Sequence, residues 1–196
     1  MDPRYAAIVL AGGRSERLGG RHKPALPVDG VPMLHRVLAA VPDADPRIVV
    51  GPPQAVPPGV LVVRENPPYG GPAAAIAAGL DQLPTDAPAY VAVLAADQPY
   101  LTAPAVAALR RALTTAGPSY AGAAYVDDGR PQLLCGLWRA AVLRDRRTEL
   151  GSVRDLAVRR FFADLPYVPV GSAAGTPPWW DCDTEDDWAR CGDHQP

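Results

Sequence analysis

The sequence is poor in aromatic residues and shows no excess of charge of either sign. Aromatic residues make up 7% of its 196 positions, charged residues make up 20%, and the formal net charge is −2. Without a basic excess the chain lacks the electrostatic footprint of a nucleic-acid-binding protein, and without a polybasic run it lacks that of a membrane-surface protein. We therefore expect neither nucleic acid nor a membrane among its partners. A small anion would have to be bound by a few local groups.

Long apolar segments and cysteine patterns are lacking as well. No cationic region leads into a long apolar stretch at the N-terminus, and Ala6–Ala11 is too short for the apolar region of a signal peptide. No stretch approaches the roughly 20 apolar residues of a membrane span. The three cysteines, Cys135, Cys182 and Cys191, match no zinc spacing and are odd in number, which predicts free thiols. Together these absences predict a cytoplasmic protein.

The arrangement of apolar residues alternates between strand and helix patterns. A chain of 196 residues with 48% hydrophobic residues can bury a sizeable core, which predicts one domain over residues 1–196. Short apolar runs predict strands at 6–10, 47–50, 60–63, 90–95 and 165–170. Helical spacing predicts helices at 32–41, 71–83, 102–115, 139–146 and 152–162, with a last short helix capped by Thr184.

A hairpin signal interrupts this alternation in the second half of the chain. Segments 119–126 and 132–138 flank Asp127-Asp128-Gly129, whose composition is typical of a tight turn between antiparallel strands. The sequence therefore predicts an α/β fold with a mainly parallel, doubly wound sheet and some antiparallel strands. In such sheets ligands bind at the carboxyl ends of the strands, which draws attention to the loops after Leu10 and Ala95.

The loop after Leu10 is rich in glycine and in basic residues. Gly12 and Gly13 allow the backbone to turn sharply and to expose its N–H groups to a ligand. The same loop carries four cationic side chains, Arg14, Arg17, Arg21 and Lys23. A triphosphate needs both backbone donors and cations, so this composition favours a nucleotide site. The plainer interpretation is a solvated turn with incidental arginines. Neither G-x-x-x-x-G-K-S/T nor G-x-G-x-x-G follows this strand, which excludes a Walker loop and a dinucleotide fingerprint.

An acidic residue, Asp97, follows the strand predicted at 90–95. A carboxylate at the end of a buried strand is costly unless it is paired or bound to a metal, and Mg²⁺ prefers one or two carboxylates together with phosphate oxygens. Asp97 could also do no more than start the turn before Pro99. Because Asp97 and the basic loop are expected at the same edge of one sheet, their shared location favours a magnesium–triphosphate site.

Three other motifs are weaker, and each has a plain structural alternative. Asp183 immediately precedes the Thr184 cap and could face a site, or it could simply complement the helix dipole. Tyr69-Gly-Gly-Pro72 could let a base or ribose approach closely, or it could be an ordinary helix entry. Arg130-Pro-Gln-Leu-Leu134 could border an acceptor site, or it could be only a hairpin arm.

These residues resemble a known family. Leu10-Ala-Gly-Gly-x-Ser-x-Arg-Leu-Gly, followed by Lys23-Pro24, resembles the signature of nucleotidyltransferases with a GT-A-like fold. Nearly the whole chain is similar to their MobA-type branch, the molybdenum cofactor guanylyltransferases. The motifs that carry this similarity are Gly71-Pro72-Ala-Ala-Ala-Ile, Asp97-Gln-Pro99, the segment from Arg130-Pro to Leu-Trp138, and Asp181-Cys-Asp183-Thr184, which stands where the family has Asn-x-Asn-Thr.

The resemblance implies a fold, a reaction and a set of site residues. The fold would be the three-layer, Rossmann-like GT-A type. The reaction would transfer GMP from GTP to the phosphate of molybdopterin-bound molybdenum cofactor, releasing pyrophosphate. The nucleotide-binding residues would be Leu10, Ala11, Gly12, Gly13, Lys23, Gly51, Glu65 and Asp97. Arg17, Lys23 and Asp97 would be catalytic, and Asp97 and Asp183 would bind Mg²⁺.

The details of the sequence refine this resemblance. The pair Gly12-Gly13 favours guanylyl transfer, because cytidylyltransferase relatives typically carry alanine before the second glycine. Gly51 and Glu65 replace the commoner Asn and Asp of the family.

A molybdoenzyme or a cofactor-delivery protein is compatible with the resemblance as a further partner. Two other functions stay open, a cytidylyl- or sugar-phosphate transferase and a non-catalytic carrier of the cofactor. A Rossmann dehydrogenase is disfavoured by the missing glycine fingerprint, and an interaction protein leaves the basic loop unexplained.

Overall fold

A mixed β-sheet with helices on both faces forms the centre of the protein. The computed structural model describes residues 3–13, 22–172, 175–182 and Cys191. In this part of the chain the strands are β1 (Tyr5–Leu10), β2 (Pro27–Val28), β3 (Val31–Pro32), β4 (Arg47–Val50), β5 (Val60–Val63), β6 (Tyr90–Ala95), β7 (Gly122–Asp127), β8 (Arg130–Arg139) and β9 (Tyr167–Val170). The helices are α1 (Met33–Ala39), α2 (Pro72–Leu80), α3 (Ala103–Ala116), α4 (Ala140–Leu150) and α5 (Val158–Phe161), and Lys23–Ala25 forms a short 3₁₀ turn.

The order of the strands confirms the predicted topology. Seven strands make one sheet in the order β5-β4-β1-β6-β8-β7-β9. The first four are parallel, β8 is antiparallel to both of its neighbours, and β9 pairs with β7 in parallel. The described strands therefore form a mainly parallel sheet with one antiparallel strand.

The apolar residues of β1 explain why helices cover both faces of the sheet. Tyr5, Ala7 and Val9 belong to one buried cluster, together with apolar residues of α1 and α3. Ala6 and Ile8 belong to a second cluster, together with residues of α2 and α4. Successive side chains of a strand point to opposite faces, so a continuously apolar strand must be covered on both sides. The result is the predicted three-layer α/β architecture.

Most of the predicted elements are present, but the helix predicted at 152–162 is wrong for its first half. Only α5 is helical there, because Gly151 has φ +62° and Asp155 has φ +55°, a left-handed conformation that no α-helix contains. Thr102 caps α3 as predicted and accepts a hydrogen bond from the Ala105 N–H at 3.3 Å. The final helix that Thr184 was predicted to cap lies outside the described residues.

Two turns of the sequence Asp-Gly connect the strands of β-hairpins. The predicted hairpin is formed by β7 and β8, with Asp128 and Gly129 at φ +45° and +76°. A second hairpin, β2–β3, was missed by the sequence reasoning. Its turn, Asp29-Gly30, has the same composition and φ values of +50° and +76°. The Asp-Gly signal was present there, but the strands on either side are only two residues long.

The prediction of free thiols is wrong for two of the three cysteines. Cys182 and Cys191 form a disulfide inside a small apolar cluster that includes Val28 and Tyr100. The Tyr100 hydroxyl donates a hydrogen bond to the Cys191 carbonyl oxygen. The number and spacing of the cysteines do not indicate which of them come together after folding. Cys135 is free and buried in the sheet, where burial raises its pKa.

Two other sequence predictions concern the chain as a whole. Across the described ranges, no helix combines the length and apolarity needed to cross a bilayer. The prediction of one domain over residues 1–196 stays a prediction.

Candidate active site

Two loops that were expected to carry chemistry leave the same edge of the sheet. β1 and β6 are adjacent and parallel, and Leu10 is in register with Ala95. The pairing continues for one more residue, because the Ala96 N–H donates to the Leu10 carbonyl oxygen at 3.0 Å. The loops that begin at Ala11 and at Ala96 therefore start side by side, as the parallel topology predicted.

Lys23 and Asp97 meet at this edge. The Lys23 Nζ donates to the Asp97 Oδ2 at 2.6 Å, and the two side chains are 13% and 24% exposed. Lys23 is the first residue of the 3₁₀ turn, whose second residue, Pro24, is buried. The His22 ring also makes a 2.9 Å hydrogen bond with Gln54, in the loop after β4. These contacts anchor the lysine at a defined place, so that its ammonium faces the strand-end acid.

The second oxygen of Asp97 is buried without a hydrogen-bond partner among the described residues. A buried carboxylate oxygen without a partner is costly, and a hard cation or a ligand donor would satisfy it. The donor type therefore fits Mg²⁺. Among the described residues, no group of three or more His, Cys, Asp or Glu side chains is placed to hold a metal.

The C-terminal segment approaches the same loop. The Cys182 N–H donates to the Asp97 carbonyl oxygen at 3.3 Å, and this contact brings the chain just before Asp183 to the site. Asp183 itself, predicted as the second metal ligand, lies outside the described residues. Arg17, predicted to be catalytic, also lies outside them, as do Arg14 and Arg21.

A cavity of about 270 Å³ adjoins Asp97. Its wall includes five residues that the sequence analysis had assigned to the nucleotide site, namely Leu10, Gly12, Gly13, Glu65 and Asp97. Both glycines are exposed, and Gly13 has φ +134°, a backbone conformation that favours glycine. Residues from three strand ends thus converge on one concave surface, although their individual roles in binding stay predictions.

Glu65 is the buried acid in this wall. Its residue is 9% exposed, and its Oε1 accepts a hydrogen bond from the Tyr69 N–H at 2.9 Å. Its Oε2 is buried and has no hydrogen-bond partner among the residues that the structure describes. One carboxylate oxygen thus bonds the Tyr69 backbone, and the other could accept a hydrogen bond from a ligand.

Gly51 and Ala11 lie behind the glycine loop and not in the wall of the cavity. A Cβ at Gly51 would lie 2.7 Å from the Ala11 carbonyl oxygen and 3.2 Å from the Gly12 nitrogen. Ala11 is 1% exposed, and its N–H donates to the Val50 carbonyl oxygen at 2.8 Å. Direct contact of either residue with the nucleotide stays a prediction. In the structure the Gly51 backbone packs closely on the Ala11–Gly12 peptide, and Ala11 is bonded to the end of β4.

The cavity also contains residues of two motifs for which the sequence analysis left a site and a plain structural role open. Tyr69 and Leu134 line it, and so do Gly71 and Pro72 at the start of α2. Leu134 belongs to the Arg130–Trp138 segment, whose other end, Trp138, is completely buried in the core. The signal in the first motif was its pair of glycines, Gly70-Gly71, which allow a close approach, and the sequence analysis gave the Tyr69 ring no role of its own.

The site and the fold agree with what comparison with known proteins finds. A family model described as "MobA-like NTP transferase domain" matches residues 7–168. The chain belongs to this family. It is 31% identical over 194 residues to a molybdenum cofactor guanylyltransferase of Rhodobacter capsulatus, covering 97% of this chain and 96% of that protein. It is 30% identical over 191 residues to the enzyme of the same name in Bradyrhizobium sp. (strain ORS 278), covering 93% and 89%.

Solved structures show the same family architecture. The crystal structure of molybdopterin-guanine dinucleotide biosynthesis protein A from Archaeoglobus fulgidus superposes with a TM-score of 0.70, covering 96% of this chain and 97% of that one. Its sequence identity is 16%, so this likeness establishes the fold alone. The MobA-like resemblance and the GT-A-type α/β fold predicted from the sequence are therefore confirmed.

Proposed function

We propose that this chain is a magnesium-dependent nucleotidyltransferase that transfers GMP from GTP to the phosphate of molybdopterin-bound molybdenum cofactor and releases pyrophosphate. The observation that carries the proposal is the 2.6 Å contact between Lys23 and Asp97 beside a cavity lined by Gly12 and Gly13. A polyphosphate needs backbone donors, a cation and an acid that can hold a metal, and these three groups lie together. The names of the near-full-length relatives support the same reaction.

The reaction would proceed by in-line attack. An oxygen of the acceptor phosphate forms a bond to the α-phosphorus of GTP, and the bond from that phosphorus to the bridging oxygen breaks. Pyrophosphate leaves with the electron pair. A phosphate monoester has its second pKa at about 6 and is largely ionised at neutral pH, so the attacking group needs no protein general base. The work of the protein is then to position the phosphates and to neutralise their charge.

Lys23 and Asp97 would divide this work. The Lys23 ammonium, now on the Asp97 Oδ2, would donate to phosphate oxygens of a nucleotide bound in the cavity that Asp97 lines. The unpartnered Asp97 Oδ1 is the atom of the described chain best suited to hold Mg²⁺. When bound, Mg²⁺ would neutralise charge on the phosphate oxygens. Arg17 would add a second cation, and Asp183 a second carboxylate.

Glu65 supports guanine as the base. Guanine offers two adjacent donors on one edge, a ring N–H and an amino group, and a carboxylate is an acceptor without donors. Because Oε1 is held by the Tyr69 N–H, Oε2 is the atom that would accept from the base. A site built around a buried acceptor rejects bases that leave that acceptor unpaired. Cytosine, with a single amino donor on its edge, satisfies it less well.

The partners follow from the reaction. GTP and the molybdenum cofactor would be the substrates, and a molybdoenzyme or a cofactor-delivery protein would be a further partner. The cytoplasm is the compartment we propose, because the near-full-length relatives carry the name of a biosynthetic enzyme. A disulfide between Cys182 and Cys191 is unusual for that compartment, where thiols are kept reduced.

Pyrophosphate release with each of the four nucleoside triphosphates tests this proposal. The purified protein is assayed with Mg²⁺ and with EDTA, in the presence and absence of molybdopterin. We expect release with GTP, dependent on both Mg²⁺ and molybdopterin. Faster release with CTP would make the chain a cytidylyltransferase. Cofactor binding without release from any nucleotide would make it a carrier.

The variant Glu65→Gln serves as the specificity control. The amide keeps the size of the side chain but replaces one acceptor by a donor, so the ratio of kcat/KM for GTP over the other nucleotides should fall by about tenfold or more. An unchanged ratio would remove Glu65 from base recognition without affecting the assignment of the reaction.

A further inference from the structure

Tyr69 combines exposure with an uncommon backbone conformation. The residue is 54% exposed and has φ +65°. A bulky residue in the left-handed region is rare, because its Cβ crowds the backbone, and it persists only where the surroundings hold it in place. Such residues cluster at ligand sites. The question is therefore what holds Tyr69 and what its ring contacts.

Several contacts fix the Tyr69 backbone and ring. The Tyr69 N–H donates to the Glu65 Oε1 at 2.9 Å. Gly70, the residue after Tyr69, accepts a hydrogen bond on its carbonyl oxygen from the Asp155 N–H at 2.7 Å. The Arg64 guanidinium lies over the tyrosine ring, with its central carbon 5.0 Å from the ring centroid. A guanidinium at this distance attracts the face of an aromatic ring and restricts its orientation. The ring is thus held in a defined position despite its exposure.

Tyr69 lines one of two adjoining cavities. Tyr69 lines the cavity of about 270 Å³ that contains Gly12 and Asp97. Arg64 lines an adjoining cavity of about 470 Å³, and Glu65 lines both. Within the Arg64–Tyr69 pair, the tyrosine is consequently the member that reaches the nucleotide cavity.

We propose that Tyr69 binds the nucleobase by stacking, while the neighbouring Glu65 carboxylate accepts from the edge of the same base. The inference rests on the proposed function, because it assumes that a nucleotide occupies the cavity. Every base has an aromatic face, so stacking supplies affinity without selecting among bases, whereas a carboxylate at the base edge selects. A single hydrogen bond links the stacking residue to the selecting residue, because the Tyr69 N–H donates to the same Glu65 carboxylate.

Two substitutions of Tyr69 separate the ring from the backbone. Tyr69→Gly removes the ring but adopts φ +65° without strain, and it keeps the N–H that Glu65 accepts. Tyr69→Phe keeps the ring and removes only the hydroxyl. Tyr120→Ala, which removes another exposed tyrosine two residues before β7 and outside the cavity wall, is the matched control.

The experiment measures dissociation constants by calorimetry with Mg²⁺ present, for GTP, ATP and inorganic tripolyphosphate. In Tyr69→Gly we expect GTP and ATP each to bind about tenfold more weakly than in the wild type, with tripolyphosphate unchanged. Tyr69→Phe and Tyr120→Ala should bind all three as the wild type does. Thermal unfolding should show that Tyr69→Gly is at least as stable as the wild type, because the strain at φ +65° is relieved.

Each outcome distinguishes the inference from the proposed function. Wild-type affinity for GTP in Tyr69→Gly would overturn stacking and leave the proposed reaction intact. An equal loss for GTP and for tripolyphosphate would show that Tyr69 acts through the shape of the loop, which also overturns stacking. Failure of the wild type to bind GTP with Mg²⁺ would overturn the proposed function and this inference with it.

Discussion

The Lys23 ammonium lies 2.6 Å from the Asp97 Oδ2, although 74 residues separate the two in the chain. The contact joins the loop after β1 to the loop after β6 and leaves the Asp97 Oδ1 without a partner among the described residues. The lysine and the aspartate are both largely buried, and each neutralises the charge of the other before any ligand arrives. Binding of a metal–nucleotide complex would exchange this contact for one between lysine and phosphate, and between aspartate and metal.

The first prediction concerns the two partners of this contact. Lys23→Ala and Asp97→Ala should each lower kcat/KM for pyrophosphate release from GTP by at least about 100-fold, because the first removes the cation that would contact the phosphates and the second removes the carboxylate that would hold Mg²⁺. Both variants should remain folded, since neither side chain is completely buried. Steady-state kinetics and circular dichroism provide the two measurements.

The double variant provides the control for this prediction. Residues that act as one unit have effects that do not add, so Lys23→Ala combined with Asp97→Ala should be little slower than the slower single variant. Wild-type rates in either single variant would remove that residue from the proposed mechanism.

The second prediction concerns Gly51. A Cβ there would lie 2.7 Å from the Ala11 carbonyl oxygen, so Gly51→Ala must displace the Ala11–Gly12 peptide that presents the glycine loop. We expect the KM for GTP to rise several-fold and the free energy of unfolding to fall by about 1–3 kcal/mol. Kinetics and urea unfolding measure the two effects. Gly171→Ala is the matched control, since a Cβ at Gly171 meets no atom within 4 Å.

The third prediction concerns Gly122 on β7. A Cβ at this position would overlap the indole ring of Trp138, which is completely buried and packs on Phe162 with ring centroids 4.2 Å apart. Gly122→Ala should therefore destabilise the protein by about 1–3 kcal/mol or more, while Gly171→Ala should change stability by no more than about 0.5 kcal/mol. Equal urea midpoints for the two variants would contradict this packing.

The fourth prediction concerns pH. The Tyr5 hydroxyl and the Arg110 guanidinium each donate to Asp43 at 2.6 Å. Burial raises the pKa of Asp43, but these two hydrogen bonds, a backbone hydrogen bond and the charge of Arg110 together hold the pKa below its ordinary value of 3.8. A depressed pKa stabilises the folded state above pH 3.8, and that stabilisation is lost as the pH falls through the folded pKa.

The variant Asp43→Asn measures this contribution. It should lower the free energy of unfolding near neutral pH by no more than about 1 kcal/mol, because the Asp43 side chain is 56% exposed and the pair is screened. The difference between variant and wild type should shrink as the pH falls below 3.8. Thermal unfolding over an acidic pH series tests this, and a difference that stayed constant to the lowest pH would contradict the assignment.

Much of the fold and part of the site could be predicted from local patterns. The apolar runs of β1 and β6 and the Asp-Gly turn between β7 and β8 depend on neighbours along the chain, so their sequence is informative. The shared edge of β1 and β6 follows from the parallel topology, and it correctly anticipated that Lys23 would lie beside Asp97. The helix predicted at 152–162 failed because a left-handed residue such as Asp155 leaves no mark on apolar spacing.

The sequence by itself determined the alternation of strands and helices, the glycine loop and the strand-end acid of this MobA-like chain, since each of these features depends on residues that are consecutive in the chain. Only the tertiary structure decided that Cys182 meets Cys191, that Gly51 packs closely on the Ala11–Gly12 peptide, and that Glu65 bonds the Tyr69 backbone beside the cavity. The reason is physical. Local conformation depends on the steric and hydrogen-bonding preferences of neighbouring residues, whereas contacts between separate loops depend on how the sheet and the helices pack.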